Sequence, residues 1–115
     1  MTPLVLRMTN VIGAWEAHRL DVILEWNVAE VAFLRNYTLY EAKKGKRHTE
    51  AWHEIDRLPP MNLAYVRNVP EADNLSWYVT ATNQAGQETP PSNTVDLYEK
   101  PPQSIVTNPG RLQAS

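Results

Sequence analysis

His48, Glu50, His53, Glu54 and Asp56 form the densest group of metal-capable and proton-transferring side chains in the sequence. A helical zinc site of the metalloprotease kind needs a second histidine four residues after the first, so that both imidazoles share one helix face. The position four residues after His53 is Arg57, so that spacing fails. On a strand, successive side chains alternate; His48, Glu50 and Glu54 take one face and His53 the other, which does not converge on a single ion. This group is read as a solvated, charged strand and turn. With three scattered histidines and no cysteine, the sequence offers neither a thiolate site nor a thiol nucleophile, and no metal or other cofactor is expected. Ser76, Ser92 and Ser104 lack the Gly-x-Ser-x-Gly elbow that exposes a nucleophilic serine, and four glycines build no phosphate-cradling loop. Enzymatic activity is therefore not expected.

Residues Lys43 to His48 make a basic turn that could follow a phosphate backbone. Glu41 and Glu50 flank it, however, no aromatic is interleaved for base stacking, and 11 basic against 13 acidic residues leave a net charge of −2. A solubilising hairpin is the reading, with no nucleic acid as partner. No run reaches the ~18 consecutive apolar residues of a spanning helix. The apolar run in Met1 to Arg7 is too short for a secretory signal, so neither a membrane nor export is expected. Asn36-Tyr37-Thr38 and Asn74-Leu75-Ser76 spell glycosylation acceptors, which carry little meaning without that signal. Binding is a better prospect than catalysis. Trp15 lies in a polar segment and Trp52 at a strand edge, where aromatics serve either as caps or as partner anchors.

These side chains must be held by strands. The 115 residues suit one domain. Short alternating runs between turn clusters, without a helical period, predict an all-β, two-sheet antiparallel sandwich. Strands are expected over Pro3 to Met8, Leu20 to Asn27, Leu34 to Ala42, Trp52 to Leu58, Leu63 to Val69 and Leu75 to Thr82, with Val95 and Leu97 closing the sandwich. A polar, irregular stretch should run from Met8 through Arg19. In the sixth strand Leu75, Trp77, Val79 and Ala81 make an apolar face against a hydroxyl-rich face of Ser76, Tyr78, Thr80 and Thr82, as a half-buried strand with one solvated face requires. Trp26, Tyr37, Leu39, Trp77 and Val79 are the expected core.

Val79-x-Ala81-x-Asn83, a loop containing Gly86, and the Pro91-Ser92 step into a last strand resemble the final two strands of a fibronectin type III domain. Leu24-Glu25-Trp26 is similar to that family's L-x-W signature, and the Tyr37 strand to its Y-x-V-x-Y segment. The second tyrosine position there falls on Glu41, with Tyr40 shifted to the other face. Leu75 stands where the family carries the tyrosine of its tyrosine corner, so the resemblance is to a divergent member. It covers roughly Thr2 to Tyr98, and implies a fibronectin type III or immunoglobulin-like sandwich over residues 1–99.

Residues 100–115, with Pro101-Pro102 and Pro109-Gly110 and no lasting apolar period, read as an extended arm or linker whose strong apolar anchors are Ile105 and Val106. Such a module holds and recognises. A chain that starts at Met1 without an export signal is expected to be a bacteriophage virion component. As a capsid decoration, neck or tail protein assembled in the host cytoplasm, it would work through protein contacts within a larger assembly. The alternative is a module of a larger extracellular receptor or secreted bacterial enzyme. Nothing in the residues argues for or against carbohydrate.

Overall fold

The computed structural model describes residues 3–14, 18–44, 51–97 and 105–106. These form two sheets and, among the described residues, no helix. Strands β1 (Leu6–Ala14), β2 (Arg19–Trp26) and β5 (Ala64–Pro70) make an antiparallel sheet in the order β5-β2-β1. Strands β3 (Leu34–Lys43), β4 (His53–Leu58), β6 (Leu75–Asn83) and β7 (Val95–Asp96) make a second antiparallel sheet in the order β4-β3-β6-β7. The two inner faces enclose one core, the arrangement of a β-sandwich.

Within that core Tyr37, Leu39, Trp77 and Val79 have no exposed surface and Trp26 keeps 2%, as the alternation predicts. Trp26 meets Tyr37 edge to face, with ring centroids 5.7 Å apart. The buried Tyr37 hydroxyl accepts the Ala29 N–H at 3.0 Å and so fixes the loop that follows β2. Leu75, at the divergent corner position, is buried as an aliphatic core residue, while Tyr78 sits on the outer face of its sheet.

The structure departs from these expectations, or adds to them, in four places. The first strand does not stop at Met8 but continues to Ala14, paired with β2 as far as Ala14↔Arg19. A bulge between Met8 and Asn10 is the reason. It moves the buried set from Leu6 and Met8 to Val11, so the alternation loses its phase and the second half no longer reads as the same strand. Thr9, the extra residue, turns its hydroxyl to the Glu25 carboxylate at 3.0 Å.

The second correction concerns β6. Its hydroxyl face is not solvated: Ser76, Thr80 and Thr82 are buried. The strand is flanked on both sides, and acidic acceptors close over its hydroxyls, with Ser76 bonded to Asp96 and Thr80 donating to Glu88 at 2.5 Å.

Third, Val95 and Leu97 close this sheet as expected, with β7 at Val95–Asp96, and the segment before them also follows β6, from the Thr82↔Glu88 bridge onward. Pro90 and Pro91 cannot donate to a ladder. Thr89 and Ser92 maintain it: their N–H groups donate to the Ala81 and Val79 carbonyls at 2.8 and 3.0 Å, and their hydroxyls accept from the Ala81 and Val79 N–H groups, both at 3.0 Å.

Finally, part of the expected C-terminal arm pairs within its own chain. Strand β8 (Ile105–Val106) runs parallel to β1, in register Val11↔Ile105 and Ile12↔Val106.

Candidate functional site

The chain reverses at one end of the sandwich between β2 and β3, between β4 and β5, and after β6, and it enters β1 there. That end is apolar. Val5 is 42% exposed, Val28 62%, Phe33 82% and Met61 89%, each from a different strand or a different part of these loops. Phe33 has φ of 55°, a left-handed conformation costly for a side chain with a Cβ. The Gln84 N–H holds it by donating to the Phe33 carbonyl at 2.8 Å. The neighbouring loop is equally fixed: the Asn83 side-chain carbonyl accepts from the Ala85 and Gln87 N–H groups at 3.0 and 2.9 Å, and Gly86 takes φ of 85°. Of these side chains Val5 lines a cavity of about 640 Å³, together with Leu4, Ala29, Val31, Pro90 and Pro91 among others. Rigid loops that expose apolar anchors next to an apolar concavity suit contact with another protein.

Trp52 stands elsewhere. It is 37% exposed and packs edge-on against Tyr78 at 4.7 Å, and Tyr78 stacks on its cross-strand partner Tyr40 at 4.7 Å. This aromatic ladder covers the outer face of the β4-β3-β6 sheet, as directly opposed aromatic pairs do. The Tyr40 hydroxyl donates to Glu88 at 2.6 Å; burial first, and then Glu88, push its pKa up to about 12. It is a phenol held neutral, not a proton-transfer group poised near neutrality.

Among the described residues, the one deeply placed ionic group faces the interior. Glu41 accepts two hydrogen bonds from the Arg67 guanidinium at 2.7 and 3.0 Å and one from the Trp77 indole at 2.9 Å, linking the two sheets. Burial pushes the Glu41 carboxyl up, but the Arg67 and Trp77 hydrogen bonds and the Arg67 charge together hold it below its ordinary value. A carboxylate so fully engaged is a structural clamp. Alternation put Glu41 on the face of Tyr37 and Leu39, but its pairing with Arg67 needed the sheet order, which sequence spacing does not carry.

Among the described residues, no group of three or more His, Asp or Glu side chains is placed to hold a metal. His48 and Glu50 lie outside the described residues, as does Trp15. Trp52, on the sheet face, and the Ile105–Val106 strand, on the β1 edge, do not meet at one site. The loop-end residues Phe33 and Met61 were missed because neither interrupts an alternation. Their only signal was a large apolar residue within a loop, at Ala32-Phe33 and after Pro59-Pro60.

No family model and no curated protein matches the sequence. Solved structures do match. The chain is similar to the pectate lyase Pel3 from Pectobacterium carotovorum at a TM-score of 0.60 and 10% identity, over 90% of this chain and 29% of that one. It is also similar to the pectate lyase PelI from Erwinia chrysanthemi, solved with tetragalacturonic acid, at a TM-score of 0.57 and 12% identity, over 86% of this chain and 29% of the other. At such identity the likeness bears on fold alone, and the chain spans less than a third of those proteins.

Proposed function

We propose that the protein is a non-enzymatic, fibronectin type III-like binding module that works by protein contact, as a bacteriophage virion component of the decoration, neck or tail kind. One observation carries the contact reading: Val5, Val28, Phe33 and Met61 are all exposed at a single end of the sandwich, and Val5 also lines an apolar cavity there. A protein with no partner for that end would lower its free energy by hiding or replacing those side chains. Among the described residues the one buried carboxylate is engaged by Arg67 and Trp77, which suits a structural role for it.

A second reading has its own observation. The pectate lyases with similar folds are more than three times as long as the matched segment, so a sandwich of this kind occurs as part of larger bacterial polysaccharide-acting proteins. On that reading the same apolar end packs on a neighbouring domain. Quantitative mass spectrometry of gradient-purified virions separates the two. The virion reading expects the chain in fixed stoichiometry with the major particle proteins and a loss of occupancy of about tenfold in a Phe33→Ser, Met61→Ser variant that still folds. Its absence from particles, together with its recovery inside a longer secreted polypeptide, would refute that reading in favour of the module.

A further inference from the structure

We propose that the β1 edge is a strand-acceptor site and that, where copies pack side by side, the Ile105–Val106 strand of one copy docks in parallel on Val11 and Ile12 of the next. The seat is visible within one chain, where β8 takes that register and makes β1 the fourth strand's neighbour in its sheet. Without β8, β1 would be an open edge with a row of unpaired N–H and C=O groups, and Ile12, 36% exposed, would add apolar surface to it. Such an edge templates the addition of a strand.

The connection has length to spare. The β1 edge and the segment over 88–97 lie side by side, because the Asn93 side chain accepts from the Leu6 N–H at 2.8 Å and donates to the Leu6 carbonyl at 3.0 Å. Crossing between packed sheets needs about 10 Å. Residues 98–104 intervene between Leu97 and Ile105, and eight Cα steps reach up to about 28 Å. The connection is thus longer than closure on the same chain requires, which leaves slack for exchange with a copy packed alongside.

The hold is also weak enough to exchange. A parallel pairing of two residues has few hydrogen bonds, and parallel ladders are slightly less stable per residue than antiparallel ones. An exchanged strand makes the same ladder bonds, so the choice rests on concentration. A short tether gives an effective concentration on the order of millimolar, which dilute protein does not match and an ordered array of copies does. Closure within the chain is therefore the state of the free protein, and exchange the state of the array. The backbone pairing carries this independently of which larger assembly the chain serves.

The chain has no cysteine, so paired substitutions report the register cleanly. Adjacent strands place registered Cα atoms within disulfide range. Under mild oxidation at about 10 μM, an Ile12→Cys, Val106→Cys double variant should form an intrachain disulfide and remain monomeric. At about 1 mM, differently tagged Ile12→Cys and Val106→Cys single variants, mixed, should give heterodimer at least about tenfold above a mixture of Val66→Cys with Val106→Cys, since the tether's millimolar advantage is then matched. Heterodimer no greater than that control would restrict β8 to its own chain and overturn the exchange. Failure of the double variant to form the intrachain bond would remove the seat itself.

Discussion

Two tryptophans in the same core make unequal contributions for a reason confined to one atom each. The Trp77 indole N–H donates to Glu41 at 2.9 Å, whereas the Trp26 indole nitrogen is buried with no hydrogen-bond partner among the described residues. Both positions were legible from alternation, but the difference between them was not, because it depends on what stands across the sheet. Replacing each with phenylalanine removes similar packing, so Trp77→Phe should be the more destabilising by about 1.5–3 kcal/mol, the worth of a hydrogen bond to a charged group. Equal costs in urea unfolding would show that Glu41 does not use that bond. Glu41 itself sets an acid limit. Its carboxyl is held below the ordinary value of 4.5 in the folded protein, so the clamp contributes fully above about pH 4.5 and is lost as pH falls through the folded value. Glu41→Gln should cost on the order of 2–3 kcal/mol at pH 7, less than a fully buried pair because Arg67 keeps a third of its surface in water. The variant should also lose less stability than the parent between pH 7 and pH 3, and parallel pH profiles of unfolding would contradict this account.

At the level of elements, four strands were readable nearly end to end, whereas the full extents of the first strand and of the edge beside β6 were not. The expected strands from Leu20, Leu34, Trp52 and Leu63 match β2 to β5 within a residue or so at each end, although the pairings of β3 with β4 and β6 also carry register shifts, at Leu39/Tyr40 and Leu34/Asn36. The first strand changes phase at its bulge, and the last is cut by Pro90-Pro91, so neither shows its full length as a pattern. The proline interruption leads to a specific expectation. Thr89→Ala and Ser92→Ala each leave a buried-strand N–H, of Ala81 or Val79, without its acceptor, and each should cost about 1–2 kcal/mol. Thr94→Ala, on the exposed part of the same segment, should stay within about 0.5 kcal/mol of the parent. Thermal unfolding of the three variants compares them directly; a cost at Thr94 equal to the other two would mean that the hydroxyls do not stand in for ladder groups. Truncation after Glu99 removes only the two-residue β8 pairing from the described ladders, and the sandwich should remain folded, as circular dichroism and cooperative unfolding would report.

For the molecule as a whole, the two-sheet architecture and most of the core could be read from apolar alternation, while the candidate contact surface could not. Phe33 and Met61 are 30 positions or so apart in sequence and come to the same end only because β3 and β4 run antiparallel in register. Trp52, the most conspicuous aromatic outside the core pattern, turns out to cap a sheet face through Tyr78 and Tyr40. The proposed partner contact is at the loop end, with the aromatic ladder as the competing surface. Hydroxyl-radical footprinting of the free chain and of the chain within its assembly decides between the two surfaces. Met61, 89% exposed when free, should lose about tenfold of its oxidation rate on assembly, with Phe33 protected alongside it; Met8, buried in both states, serves as an internal reference, and Trp52 should react equally in both. Unchanged oxidation of Met61 and Phe33, with protection instead at Trp52 and Tyr78, would contradict the account.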